Sequence, residues 1–259
     1  MENEKDGSSM ATMNECWRPR GRKPPLPSIK DDCKMRCIFC KVPTKDSKSV
    51  EHIVPESLGN KDHVLPRGAV CDGCNNYFAV KVEKPVLDSG MFRLLRSDMA
   101  ITSKKGRLPV VGVGDALNLP EYRLFARFLG KVGMEVFAFQ TLSVEGWNDE
   151  IVDHGGLEDL RRFTRYNEGV ATWPFAYRTL HPVNAIFKDG EDVYELLHEF
   201  DVLMTETLEY YIVLSILGVE FVLNLGGPSL DGYRAWLKKN DYASPLYSNW
   251  RESFQLSEK

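Results

Sequence analysis

The sequence predicts an α+β fold: a small cysteine-framed unit of two short strands and a helix, followed by a mixed domain of helices and antiparallel sheet. Three observations predict it. Two CxxC pairs, Cys37-Ile38-Phe39-Cys40 and Cys71-Asp72-Gly73-Cys74, bracket the stretch between them. An apolar stripe at three- and four-residue spacing begins after Pro120. The last third breaks into short apolar runs separated by Gly and polar turns, the pattern of strands.

The cysteines come first because they constrain the most. A CxxC turn sets two thiolates at the separation a tetrahedral zinc needs, and two such turns complete a four-sulfur site. The 30 residues between Cys40 and Cys71 leave room for a hairpin that carries something else. The N-terminal stretch is polar, with no apolar signal region, so the expectation is a cytoplasmic chain whose cysteines stay reduced and bind metal rather than pair. Structural zinc on Cys37, Cys40, Cys71 and Cys74 follows. Cys16 and Cys33 lack partners at ligand spacing and read as free thiols, Cys33 being close enough to Cys37 to stand as an alternative ligand.

Between the pairs lies Glu51-His52-Ile53-Val54-Pro55-Glu56-Ser57-Leu58-Gly59-Asn60. A neutral imidazole can take a proton from water, and an adjacent carboxylate can hold a divalent cation beside it. Neighbours on an extended strand point to opposite faces, so both serve one centre only if the strand bends, as Pro55 and Gly59 allow. Asn75 opens the helix expected after Cys74, and its amide oxygen is a hard neutral ligand suited to magnesium.

These motifs together resemble the HNH endonucleases, of the ββα-metal type with a zinc-binding frame, over about residues 37 to 82. The resemblance implies a metal-dependent nuclease hydrolysing phosphodiester bonds of nucleic acid, DNA first. It implies His52 as general base, and Glu51 and Asn75 as ligands of a catalytic Mg2+ or Mn2+; the acidic ligand of the family is more often Asp. For the family's middle position, usually an Asn that pins the loop, Asn60 and His63 compete. The alternative is a zinc-framed module that binds nucleic acid or protein without cutting.

The domains expected are a disordered tail over 1–32, the zinc-framed unit over 33–107 and an α+β domain of unknown role over 108–259. The tail carries Arg18, Arg20, Arg22 and Lys23 among prolines. In the zinc-framed unit, short strands are expected at 49–54 and 68–70, with a helix from Asn75 through Val82. Pro85 either interrupts that helix or starts a second one, carrying Met91, Phe92, Leu94, Leu95 and Met99. Residues 1–107 hold 20 Lys/Arg against 14 Asp/Glu, and 108–259 hold 13 against 23, a net of +6 and of −10. Phosphate contacts are therefore expected at the N-terminal end.

Beyond Pro120, Leu124, Phe125, Phe128, Leu129, Val132 and Val136 predict a core helix. Leu157, Leu160 and Phe163 predict a shorter one, with Arg161, Arg162 and Arg165 facing outward. Strands are expected at about 179–188, 194–206, 209–216 and 219–225. Tyr210 to Leu223 is almost continuously apolar, but it is too short for a bilayer and contains Glu220, so it reads as a buried hairpin turning near Gly218. His154, His181 and His198 lack ligand spacing and read as structural. No membrane association is expected; the C-terminal domain leaves room for a homodimer or a partner protein.

Overall fold

The computed structural model describes residues 35–60, 62–103, 105–112, 118–145, 149–179, 198–246 and 255–256. The expected tail over 1–32, with Cys16, and also Cys33 and His181 lie outside them. So does nearly all of the strand expected at 179–188.

The cysteine-framed unit starts with a tight hairpin closed by the Arg36–Pro43 bridge, where Cys37 N donates to Val42 O (2.9 Å) and Lys41 turns with φ 62°. Its partner segment pairs only at His52 with Val64. Expected strand 68–70 is instead a turn. Gly68 has φ +91°, and a Cβ there would stand 3.0 Å from Thr44 Oγ1, so the left-handed turn and the close approach both require glycine. Pro55 and Pro66, lacking N–H donors, bound the paired stretch on both sides and keep it short.

Helix α1 (Asp72–Phe78) then runs through a wide π-helical turn, Ala79–Glu83, into α2 (Lys84–Leu87). The wide turn precedes Pro85, which has no amide to bond back to Lys81, so the ladder is re-spaced rather than broken. Helix α3 (Gly90–Asp98) buries Met91 and Phe92.

The long stripe is α4 (Tyr122–Glu145), the axis of the molecule. It packs against the π turn and α2 on one side and against the sheet on the other, with further contacts to α5 (Asp149–Asp153) and α6 (Glu158–Arg161). Two glycines permit this. A Cβ on Gly130 would sit 2.5 Å from Thr164 Oγ1, and one on Gly133 would sit 2.9 Å from Leu225 Cδ2 and 3.0 Å from Ile212 Cγ2. Each mid-helix glycine costs roughly 1 kcal/mol of helix propensity, offset by close packing on both flanks.

The sheet is antiparallel, in the order β2-β3-β4-β1-β5: β1 is Phe175–Thr179, β2 His198–Met204, β3 Tyr210–Ile216, β4 Val219–Asn224 and β5 Gln255–Leu256. The expected hairpin is there, turning on Leu217 (φ 52°) and Gly218 (φ 81°), the pair of positive φ that a two-residue hairpin needs. Both faces of β3 and β4 are covered, which explains their continuous apolar run. Ile212, Leu214, Phe221 and Leu223 join the α4 core, while Tyr211, Val213 and Val222 pack with α7 (Asp231–Lys239). Glu220, the one acid in that run, is fully buried opposite Arg178 on β1, at 2.9 Å from its Nε.

One hydrophobic core runs from the cysteine knuckles through Phe78, Phe92, Phe125 and Phe128 to the sheet. Side chains from both sides of residue 107 build it. Among the described residues, no helix is long and apolar enough to cross a membrane.

Candidate active site

The knuckles meet as their spacing requires. Ile38 N donates to Ala69 O (2.9 Å), and Cys71 caps α1 by accepting from Cys74 N (3.4 Å). Cys40 and Cys71 sulfurs stand 3.5 Å apart, and all four Sγ atoms lie within 4.8 Å of one another. Zn–S bonds of about 2.3 Å in a tetrahedron need sulfurs roughly 3.8 Å apart, so the four cysteines can hold one ion of that kind.

The electrostatics agree. A hydrogen bond from Cys74 draws the Cys37 thiol down to about 5, while burial pushes Cys40 up to about 11. The same bond to Cys37 raises Cys74. Four sulfurs so close cannot all be thiolates without a cation among them, and a dication supplies that.

Two arginines expected to face solvent are instead turned onto this frame. Arg161 is 1% exposed; its Nε donates to Ile38 O at 2.8 Å and its NH2 group to Ile151 O at 2.9 Å. Arg165 Nε donates to Cys74 Sγ at 3.1 Å. The wide turn Arg162–Tyr166 after α6 shifts the helical phase and brings Arg165 round to the four-cysteine frame, so an outward face extrapolated for it at 3.6 residues per turn is misplaced. Arg162 does remain at the surface, paired with Glu168 at 3.2 Å.

The Glu51-His52 segment is fastened to α1 at two points. Asp72 accepts from Ser49 N (2.8 Å), Ser49 Oγ (2.6 Å) and Lys48 N (3.0 Å), which holds its carboxyl below the usual range. Asn75 Nδ2 donates to Val50 O at 3.4 Å, leaving the amide oxygen Oδ1 without a hydrogen bond among the described residues. His52 is half-buried, with Nδ1 enclosed and lacking a hydrogen-bond partner.

Asn60 and His63 separate cleanly. Asn60 is fully buried; its Nδ2 donates to Val54 O and His63 O, both at 2.9 Å, and its Oδ1 accepts from Asp62 N (3.1 Å) and His63 N (2.9 Å). That side chain pins the loop. The His63 ring instead packs among His198, Phe200 and Phe139, with centroids at 5.5, 4.8 and 5.9 Å. His198 is buried there, as a structural histidine should be, and His154 is exposed.

Glu51 has a partner that the sequence reading missed. Its Oε1 lies 2.5 Å from Nζ of Lys131, which is fully buried on α4. Glu83 Oε1 lies 2.7 Å and Glu135 Oε2 2.9 Å from the same nitrogen. Burial alone would lower the ammonium's pKa, but Glu135, Glu83 and Glu51 reverse that and hold it well above its ordinary value. Burial pushes Glu51 up, with Lys131 opposing, and pushes the fully buried Glu135 well up in the same way. Glu51 Oε2 makes no hydrogen bond among the described residues and is not enclosed, so one oxygen of this carboxylate remains free to face a cation.

The four-sulfur frame, the strap carrying Glu51-His52 and the helix carrying Asn75 together form a cysteine-framed candidate site. Residues 37–89 match the family model described as HNH endonuclease, which supports the resemblance read from the motifs and extends it through the wide turn and α2. No curated protein and no solved structure matches the chain.

Proposed function

We propose that the protein is a metal-dependent endonuclease hydrolysing phosphodiester bonds of nucleic acid, with DNA as the first substrate to test. The observation that carries the reading is the juxtaposition within the matched segment: Asn75 tied to Val50 at 3.4 Å, beside Glu51 and His52, with Glu51 Oε2 and Asn75 Oδ1 both without a hydrogen bond among the described residues.

His52 Nε2, the ring nitrogen that is not enclosed, takes a proton from the attacking water. Glu51 Oε2 and Asn75 Oδ1 are hard oxygen donors of the kind Mg2+ or Mn2+ accepts, and they would hold it. Such an ion, when bound, polarises the phosphoryl oxygens and offsets charge on the leaving group. The Cys37, Cys40, Cys71, Cys74 site would hold a structural Zn2+ that takes no part in the chemistry. Reduced cysteines in such a site fit a cytoplasmic setting.

The Glu51–Lys131 ion pair favours a second reading, in which the same frame binds nucleic acid or protein without cutting, because an ammonium competes with a cation for the carboxylate. Incubation of supercoiled plasmid with purified protein and Mg2+ or Mn2+ separates the two. Cleavage abolished by chelator, and partly restored in Glu51→Ala or Asn75→Ala by raised metal, is the expected result. Tight binding with no cleavage under either metal would favour the binding module.

A further inference from the structure

We propose that Lys131 is a positioning residue for Glu51, so that the central helix, 80 residues away in sequence, completes the nuclease site. The inference rests on reading Glu51 as a metal ligand. Lys131 Nζ donates to Glu51 Oε1 at 2.5 Å and approaches the His52 carbonyl oxygen at 3.4 Å. The same nitrogen lies 2.7 Å from Glu83, which ends the wide turn on the helical run that carries Asn75. One ammonium therefore ties together the two arms whose side chains must converge: the strap with Glu51 and His52, and the helix with Asn75.

The contact does more than neutralise a buried lysine. Glu135 stands four residues along α4, 2.9 Å from Nζ, and could pair with Lys131 within the helix alone. The reach to Glu51 and the His52 carbonyl adds orientation instead. With Oε1 engaged, Glu51 cannot swing, and only Oε2 faces outward. Lys131 is fully buried, so water does not compete for its protons. Outer partners that orient a ligating carboxylate are commonly worth about 10- to 100-fold in metal affinity.

The test is Mn2+ binding, read from the electron paramagnetic signal of free Mn2+, in wild type, Glu51→Ala and Lys131→Met/Glu135→Leu. The double substitution replaces Lys131 and Glu135 by apolar side chains of similar size but leaves Glu51 and Glu83 without their counter-charge, so folding is checked first. One zinc per chain shows that the frame is intact. The expected result is a loss of Mn2+ affinity of about tenfold or more in both variants, with zinc content unchanged. Weakened binding in Glu51→Ala but wild-type affinity in the double variant would overturn the role of Lys131 and leave Glu51 a ligand. Wild-type affinity in Glu51→Ala would overturn the ligand reading and this proposal with it. Should the double variant lose zinc, the 15Nζ resonance of Lys131 in wild type decides. A shift saturating with added Mg2+ supports the proposal, and no shift overturns it.

Discussion

Arg165 Nε donates to Cys74 Sγ at 3.1 Å, across 91 residues of sequence. Its guanidinium also lies 3.9 Å from the centre of the Tyr77 ring, three residues beyond that cysteine. A charged donor on a sulfur stabilises the thiolate, so the C-terminal part of the chain reinforces a four-cysteine cluster, able to hold a metal, whose sulfurs all come from the N-terminal part.

Arg165→Ala should therefore release zinc to a chromogenic chelator faster than wild type, by about tenfold or more. Arg162→Ala, a surface change on the same turn, should not. Equal release rates in Arg165→Ala and wild type would show that the contact does not tune the metal.

Cys71→Ser removes both a proposed zinc ligand and the cap of α1. We expect the variant to hold less than one zinc per chain by metal analysis and to unfold at lower denaturant, because the metal site contributes folding free energy. Zinc-free wild-type protein with a cooperative, unshifted melt would contradict the structural role.

The fragment 33–107 is expected not to fold alone. Phe92 packs on Phe125 and Phe128, Glu51 on Lys131, and Ile38 on Arg161, and all four partners would be missing. Glu51 and Glu83 would lose their buried counter-charge, and breaking buried pairs typically costs about 3–5 kcal/mol. Dispersed amide proton resonances from that fragment with zinc bound would show that the shared core is dispensable.

Burial beside Phe200 and His63 holds the His198 imidazole down to about 4. The unfolded chain takes up this proton as pH falls below about 6.5, while the folded chain does not until near 4. Stability from His198 is thus fully present above that upper value and lost as pH falls through the window, by an amount on the order of 3 kcal/mol. Urea unfolding at pH 7 and pH 4.5 should show this loss in wild type and less of it in His198→Phe. Parallel losses in both would place the acid sensitivity elsewhere.

What the sequence makes legible here is local. The CxxC turns, the Glu51-His52 strap and the hairpin at Gly218 are set by spacing within a few residues, and they appear where that spacing puts them; the helix expected to open at Asn75 starts instead at Asp72, because Cys71 caps it, so Asn75 lies within it. What it hides is long-range: Lys131, Arg161 and Arg165 act on groups 80, 123 and 91 residues away. Lys131 did leave a trace. It falls three residues after Phe128 and four before Glu135, so a lysine–glutamate pair interrupts the edge of an otherwise apolar stripe. A buried partner is the physical reading of such a pair. Arg161 left a trace too, four residues after Leu157 on the apolar face; Arg165 left none, because the wide turn that rotates it inward has no signature in a 3.6-residue pattern. Likewise the strap pairs with 63–65 rather than 68–70 because of Gly68, whose turn geometry outweighs the β preference of Val70.

The proposed role of His52 as base of a phosphodiester hydrolysis is tested by plasmid cleavage by His52→Ala beside wild type in Mg2+ and Mn2+. The expected result is a fall of at least ~10²-fold, with zinc content and nucleic-acid binding largely kept and no rescue by added metal. Cleavage by His52→Ala at the wild-type rate would contradict it.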